Sequence, residues 1–248
     1  KIGYEKSLLD KSDIVVKIDG DNQMDPKEIE NLLIPIISGD CDYSKGNRFI
    51  NKNEIENYPL ARFYGNIFLS FMSKLSSGYW DVFDPINGFT AIKLDVLKKI
   101  NIKNVDNRYF FETDMLFNLY LNNVRVKDIP VEIRYYKNQV QNLNVTKETF
   151  NFLFKNIHRT YLRIKKKYFM HNFSITSFFG FSSFSLFLFA FLYGGFYWIK
   201  YGLILNKFAP NGTVILSVSS LTLAFLFLGV FLYLDTLNNP NNRSKPNV

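Results

Sequence analysis

Two long uncharged stretches near the C-terminus constrain this chain more than any other feature. Residues 173–199 and 212–234 contain no Asp, Glu, Lys or Arg. Each is longer than the roughly 20 residues that an α-helix needs to cross the hydrocarbon core of a bilayer. The connector between them is short and contains Pro210. The sequence therefore predicts a two-helix transmembrane hairpin. Two buried helices of a soluble core are the alternative, which stretches of this length without charge disfavour.

Basic residues near the ends of these stretches predict the orientation of the hairpin. The cations before the first stretch are Lys155, Arg159, Arg163, Lys165, Lys166 and Lys167, and those after the second are Arg243 and Lys245. The connector has only Lys200 and Lys207. Because cytoplasmic flanks carry the excess of Lys and Arg, both ends are expected in the cytoplasm. We expect a multi-pass protein of the cell (inner) membrane with a cytoplasmic N-terminal domain.

Residues 146–168 form a basic segment with apolar residues at helical spacing. The members of its apolar stripe are Phe150, Phe154, Ile157, Tyr161 and Ile164. Such a helix is expected to lie in the headgroup plane, and an ordinary solvated charged helix is the alternative. The formal net charge of the chain is +8, yet residues 1–146 carry a net −1 and residues 147–171 a net +6. The basic balance therefore indicates membrane lipids, and not nucleic acid, as the partner.

Segments typical of strands and helices alternate over the first 136 residues. The predicted strands are 13–18, 41–49, 88–93 and 124–135, and the predicted helices are 26–37, 59–75 and 111–121. This alternation predicts a layered α/β domain.

Two aspartates follow the first predicted strand directly. Asp19 and Asp21 are two residues apart, so in an extended chain both carboxylates point towards one site at the carboxyl end of the strand. Hard oxygen ligands of this kind suit Mg²⁺ or Mn²⁺, and Gln23 could extend the cluster. A plain Asp-Gly turn is the main alternative. A calcium loop ending at Glu30 is a weaker one, because Met24 replaces the turn glycine.

Five blocks of sequence carry a family resemblance in the family's own order. They are DIVVKIDGDNQMDP (13–26), SKGNRF (44–49), SGYWDVFDPINGFTAI (77–92), FFETDML (110–116) and VKDIPVEIRY (126–135). With these blocks the chain resembles the family-2 glycosyltransferases, particularly the polyprenyl-phosphate sugar transferases similar to dolichyl-phosphate mannose synthase. The resemblance implies a GT-A type, Rossmann-like α/β fold. We expect this chain to lack the first β-α unit of that fold.

The resemblance also assigns roles to individual residues. It implies that Asp19 and Asp21 hold the metal, Mg²⁺ or Mn²⁺, and that they bind the donor together with Gln23. Lys45, Arg48 and Arg134 would bind the acceptor phosphate. The implied catalytic residues are Asp84, Glu112 and Asp114. A lipid phosphate is already anionic and needs no base to attack, so Glu112 and Asp114 are expected to position groups or tune the metal.

The expected function is membrane-bound, inverting transfer of a sugar from a nucleotide diphosphate sugar to a polyprenyl phosphate, undecaprenyl or dolichyl, at the cytoplasmic face. A non-catalytic membrane scaffold, or a partner of a lipid-sugar flippase, is the alternative, and a homo-oligomer is compatible with either. The expected domains are a partial GT-A domain (1–145), a juxtamembrane helix (146–171), two spans (172–200 and 212–235), a loop (201–211) and a cytoplasmic tail (236–248).

Overall fold

The structure, a computed structural model, describes residues 1–10, 12–48, 60–132, 145–171 and 173–242. It divides into two compact units. The first unit comprises Lys1–Arg163 together with Asn239–Val248, and the second comprises Ile164–Asn238.

A four-stranded mixed sheet forms the centre of the first unit. Its strands are β1 (Ile14–Lys17), β2 (Tyr43–Asn47), β3 (Thr90–Lys93) and β4 (Val126–Pro130), in the order β1-β3-β2-β4. Strand β3 is antiparallel to both β1 and β2, whereas β4 is parallel to β2. The carboxyl ends of β1, β2 and β4 therefore meet at one edge of the sheet, beside the start of β3. The layered α/β architecture expected from the sequence is confirmed.

Helices cover both faces of this sheet. Those packed on the sheet are α1 (Ile2–Asp10), α2 (Ile29–Ile37), α4 (Leu94–Leu97) and α5 (Phe111–Leu121), whereas α3 (Leu60–Ser77) packs against α5. Alternate residues of β3 point to opposite faces: Ile92 packs with Leu116 of α5, and Ala91 packs with Leu32 of α2. A 3₁₀ turn, Pro26–Glu28, begins the second helical segment, and the Asp25 side chain caps it by accepting from the backbone N–H of Lys27. These two apolar layers hold the sheet in place. They thereby position the strand ends that lie next to Asp19, Arg48 and Asp84.

Helix α6 (Val145–Ile164) buries two polar side chains and exposes a row of apolar ones. Its buried face includes Asn156, which accepts a hydrogen bond from Ser76, and Arg163, which donates to the backbone oxygen of Leu75. Its exposed face carries the predicted apolar stripe, of which Phe150, Phe154, Ile157 and Tyr161 are more than half exposed. The prediction that the residues of this stripe share one face of a helix is confirmed. Arg163 is buried, however, so it is not among the cations available to lipid headgroups.

The second unit contains two helices that are long and apolar enough to cross a membrane. Helix α7 (Ile175–Trp198) continues as a π-helix over Ile199–Ile204, and α8 (Asn211–Leu237) follows. The predicted loop, 201–211, is therefore shorter than expected, because helical structure extends four residues past Lys200. A π-helix, Lys165–His171, precedes this pair.

Packing between α7 and α8 is antiparallel. Phe179 contacts Phe227, with ring centroids 5.2 Å apart, and Phe187 contacts Phe225, with centroids 4.9 Å apart. Between these ring pairs the hydroxyl of Ser183 donates to the backbone oxygen of Ala224 at 2.9 Å. Residues that lie later on α7 thus meet residues that lie earlier on α8. Their outer surfaces stay apolar and exposed, as a lipid-facing pair requires.

Candidate active site

Lys17, the last residue of β1, is at the centre of the site. Its Nζ lies 2.8 Å from Oδ1 of Asp19 and 2.7 Å from Oε1 of Glu112, and it donates to the backbone oxygen of Gly88 at 3.3 Å. Burial lowers the pKa of Lys17, but the Glu112 and Asp19 carboxylates outweigh it, and the net effect is to raise that pKa. One ammonium group thus joins the aspartate after β1 to the first turn of α5.

Sequence reasoning missed Lys17. A lysine at the end of an otherwise apolar run, IVVK, was the available signal, since an ammonium in such a position needs a buried partner. Its second partner, Glu112, is 95 residues away along the chain. Only the tertiary structure brings the two together.

Gly88 permits this close arrangement. A Cβ atom at this position would lie 2.1 Å from Oδ2 of Asp19 and 2.6 Å from Nζ of Lys17. Any larger residue would therefore displace the Lys17–Asp19 ion pair. This explains why glycine stands beside the Asp19 carboxylate.

Glu112 and Asp114 do not act as a pair. Two positions along a helix correspond to a rotation of about 200°, so their side chains leave α5 on opposite sides. Asp114 instead binds Arg159 of α6, whose Nε lies 2.6 Å from Oδ1, and accepts the backbone N–H of Asp106 at 2.7 Å. Burial raises the pKa of Asp114 above its ordinary value despite these contacts. The expectation that both carboxylates line the site needs correction, because Asp114 connects α5 to α6.

Lys45 points into the interior of the unit. Its side chain has no exposed surface, its ammonium donates to the backbone oxygen of Asn87, and Glu112 Oε2 lies 3.8 Å away. Burial lowers the pKa of Lys45, against the opposing effect of the Glu112, Asp84 and Asp128 carboxylates. The sequence analysis expected Lys45 to bind the acceptor phosphate. In this structure its ammonium is buried and is not placed to bind that phosphate directly. It supplies positive charge beneath the site.

Arg48 and Asp84 form a two-pronged ion pair at the end of β2. The Nε of Arg48 lies 2.6 Å from Oδ2 of Asp84, and Nη2 lies 2.8 Å from Oδ1. Asp84 is almost fully buried, whereas the Arg48 side chain is 23% exposed. A carboxylate engaged by both oxygens in this way orients the guanidinium, so Asp84 is placed as a positioning group.

Asp128 lies beside this pair. Its Oδ2 accepts the backbone N–H of Phe83 and the amide of Asn47, each at 2.7 Å. Burial raises the pKa of this carboxyl to about 6, against the effect of those hydrogen bonds and of Lys45. The strand ends thus bring together a cluster of charges that the sequence predicted only in part. Arg134, the remaining predicted phosphate ligand, lies outside the described residues.

Asp21 and Gln23 lie in the turn that follows Asp19. The backbone N–H of Gln23 donates to Oδ1 of Asp21 at 3.1 Å, and Asn22 between them has a left-handed φ of 61°. Asp21 is exposed and Asp19 is part-exposed. Across the described ranges, no group of three His, Cys, Asp or Glu side chains could hold a metal by itself. Two accessible carboxylates nonetheless suit a divalent ion whose remaining ligands come from water or from a bound ligand.

A cleft of about 530 Å³ opens beside these groups. Its lining includes Tyr4, Lys17, Arg108, Phe111 and Glu112. Volumes of this order accommodate small ligands, and the lining combines aromatic surface with cations.

Comparison with known proteins identifies a family model and relatives that this chain resembles. The Glycosyl transferase family 2 model matches residues 11–101. An uncharacterized protein of Methanocaldococcus jannaschii is 29% identical over 153 residues, which are 62% of this chain and 63% of the relative. The UDP-N-acetylglucosamine–dolichyl-phosphate N-acetylglucosaminyltransferase of Methanococcus voltae is 31% identical over 133 residues, which are 54% of this chain and 53% of the relative.

The chain thus spans between half and two thirds of the length of these two relatives. The matched family region includes β1 with Lys17 and Asp19, β2 with Arg48, and Asp84 and Gly88 before β3. Residues 11–101 of the chain thus correspond to a glycosyl transferase family 2 domain.

Proposed function

We propose that this protein is a membrane-bound inverting glycosyltransferase that moves a sugar from a nucleotide diphosphate sugar to a polyprenyl phosphate. The observation that carries the proposal is the meeting of Asp19, Glu112 and the Arg48–Asp84 pair around one sheet edge. All of these residues except Glu112 lie in the region that the family 2 model matches. The Methanococcus voltae relative, named for transfer from UDP-N-acetylglucosamine to dolichyl phosphate, suggests the first donor and acceptor to test.

Asp19 and Asp21 would hold Mg²⁺ or Mn²⁺. When bound, this ion would neutralise the departing diphosphate. The turn that follows Asp19 keeps Asp21 exposed and so accessible to a ligand. Lys17 and Arg108 line the adjacent cleft and bring positive charge to the region where a diphosphate would bind.

Arg48 would contact the acceptor phosphate, since Asp84 already fixes the plane of its guanidinium. A phosphate monoester carries its own negative charge, so the acceptor needs no proton removed before it attacks the anomeric carbon. Glu112 is buried and bound to Lys17, which suits a positioning role rather than that of a general base. The buried ammonium of Lys45 stabilises Glu112 from below.

Two features support a location at the membrane surface. The second unit supplies two helices of the length and apolarity of membrane spans, and α6 exposes an aromatic stripe. Lys165–Lys167 follow α6 directly, as expected for contact with anionic headgroups. We propose that α6 lies in the interface, that α7 and α8 form a transmembrane hairpin, and that the transferase domain is on the cytoplasmic side of the inner membrane.

A transfer assay tests the function. The full chain in proteoliposomes would be given labelled UDP-N-acetylglucosamine and dolichyl phosphate, with and without EDTA. We expect Asp21→Ala and Arg48→Gln each to lower transfer at least about tenfold, because each removes a charge that meets a phosphate or its metal.

Asp95→Ala is the matched control. Asp95 is exposed and its ion pair with Lys98 is on α4, so transfer should keep its wild-type rate. Transfer that persists in EDTA, or in Asp21→Ala, would contradict the metal-binding role. Absence of transfer with every nucleotide sugar and polyprenyl phosphate would contradict the enzymatic function itself.

A further inference from the structure

The ammonium of Lys17 lies beside Asp19, a carboxylate that is a proposed ligand of a divalent cation. Its ammonium lies 2.8 Å from Oδ1 of Asp19, within ordinary ion-pair distance. Both oxygens of a carboxylate are bonded to one carbon, so an ion bound by Asp19 would be a close neighbour of this ammonium. Like charges at such separations repel strongly, even at the effective dielectric constant of a protein surface. Metal binding and the Lys17–Asp19 ion pair therefore oppose each other.

Besides Asp19, Lys17 has a second carboxylate partner, and it is more deeply buried than Asp19. Glu112 binds the same ammonium at 2.7 Å and is only 8% exposed, whereas Asp19 is 43% exposed. The backbone oxygen of Gly88 and the ring of Phe111, 5.9 Å from the ammonium, also surround it. The ammonium can thus leave Asp19 and still be paired in its partly buried position, which avoids the cost of an isolated buried charge.

We propose that Lys17 is a positioning residue that occupies Asp19 in the absence of metal, and that Glu112 retains Lys17 when a divalent cation takes its place. The inference rests on the proposed function in one respect, since it takes Asp19 as a ligand of the metal. It adds that the affinity of the site is set by competition with an internal cation. Lys17 lowers that affinity, and Glu112 raises it.

Mn²⁺ binding provides a direct test without turnover. The full chain in detergent micelles would be titrated with Mn²⁺, and the free ion measured by electron paramagnetic resonance. We expect Lys17→Met to bind Mn²⁺ about tenfold more tightly than wild type, because it removes the competing charge. Glu112→Gln should bind more weakly than wild type, because Lys17 then loses its alternative partner. Structural damage alone would weaken binding in both variants, so the opposite signs identify competition.

Among the described residues, Lys17→Met leaves Lys45 as the cation beside the buried Glu112, and the variant could fail to fold. The double variant, Lys17→Met with Glu112→Gln, removes both charges together and is compared with Glu112→Gln alone. We again expect about tenfold tighter binding on loss of Lys17. Lys93→Met is the charge control, because Lys93 is on β3 and is paired with Asp42. Its Mn²⁺ affinity should match that of wild type. Asp19→Asn should abolish binding.

Three results would overturn the proposal. They are unchanged or weaker Mn²⁺ binding on loss of Lys17, tighter binding in Glu112→Gln, and no binding by any variant at millimolar Mn²⁺. The transfer assay is read separately. If any of these results is found and transfer also persists without metal, the proposed competition between Lys17 and the metal is refuted. The proposed glycosyltransferase function then still stands.

Discussion

Gly88 and Asp128 are single residues whose properties come from the atoms that surround them. Gly88 is required by the carboxylate of Asp19, which lies where a Cβ would be. Asp128 accepts two hydrogen bonds and still has a raised pKa, because burial penalises its charged form more than those bonds favour it. Neither property can be read from residue type, since both depend on neighbours that are distant in the sequence.

Gly88→Ala should disrupt the Lys17–Asp19 ion pair. The added methyl group would displace Asp19 and Lys17, so we expect transfer to fall at least about tenfold, as for other misplaced catalytic groups. Transfer by the variant in proteoliposomes checks this. Gly65→Ala, where a Cβ would meet open space in α3, is the control. Equal rates for both variants would contradict the requirement for close packing at Gly88.

Asp128 should make the first unit less stable as the pH rises. Its folded pKa, about 6, is above the ordinary value of 3.8, so the neutral form is the one that folding favours. The resulting stabilisation is full below about pH 4 and is lost as the pH rises through 6. A shift of this size corresponds to at most about 3 kcal/mol.

Urea unfolding at pH 5 and pH 7.5 measures this effect. A Trp198→Phe background leaves Trp80 as the fluorescent probe of the first unit. Asp128→Asn should show a smaller loss of stability between the two pH values than its parent. The same slope in both proteins would show that Asp128 does not titrate as described.

At the scale of elements, α5 and α6 are organised by their polar contacts. Glu112 and Asp114 extend from one turn of α5 to different partners, Lys17 and Arg159. Helix α6 uses Arg159 for one of those contacts with the domain, and it leaves the aromatic residues of its stripe, Phe150, Phe154 and Tyr161, exposed. A helix that buries Asn156 and exposes Phe154 is poorly suited to water but well suited to the interface of a bilayer.

Site-directed spin labelling tests the placement of α6. Cys41 is the single cysteine of the chain and is buried, so a cysteine introduced at Phe154 is the site that reacts with the label. In proteoliposomes we expect the label to be more accessible to oxygen than to a polar nickel complex, because oxygen partitions into the hydrocarbon. Glu30→Cys, on the exposed side of α2, should show the reverse. The same accessibility at both sites would place α6 in water.

At the scale of the whole chain, residues after the second apolar helix return to the first unit. Asn239 is buried and donates to Oδ2 of Asp81 at 2.6 Å, and Asn241 accepts the backbone N–H of Val126 at 2.8 Å. Asp81 is three residues before Asp84, which orients Arg48. The last described residues thus stabilise the same loop that supplies part of the site.

Asn239→Ala should destabilise the first unit by about 1–3 kcal/mol, the usual effect of removing a partner from a charged, part-buried hydrogen bond. Urea unfolding in the Trp198→Phe background measures the change, and a double-mutant cycle with Asp81→Ala isolates the coupling between the two residues. Asn101→Ala, at an exposed position with no capping hydrogen bond, should remain within about 0.5 kcal/mol of its parent. Additive effects in the cycle would contradict a direct interaction.

Local patterns were sufficient to predict most elements of this protein. The limits of α5 agree with the predicted helix, 111–121, and β1 lies within the predicted strand, 13–18. The two apolar helices and the exposed stripe of α6 also follow from periodicity, because the burial preference of each side chain repeats with the helix. The position of Asp19 after a strand was predictable for the same reason.

Pairing of charges was not predictable from local patterns. Sequence alone determined which segments are apolar, which are helical and where acidic residues follow a strand, since these depend on neighbours within a few residues. The tertiary structure decided that Glu112 meets Lys17, that Asp114 meets Arg159 and that Lys45 is buried. The reason is physical: sheet order and helix rotation set which charges lie within a few ångströms, and Coulomb energy depends on that distance and on burial.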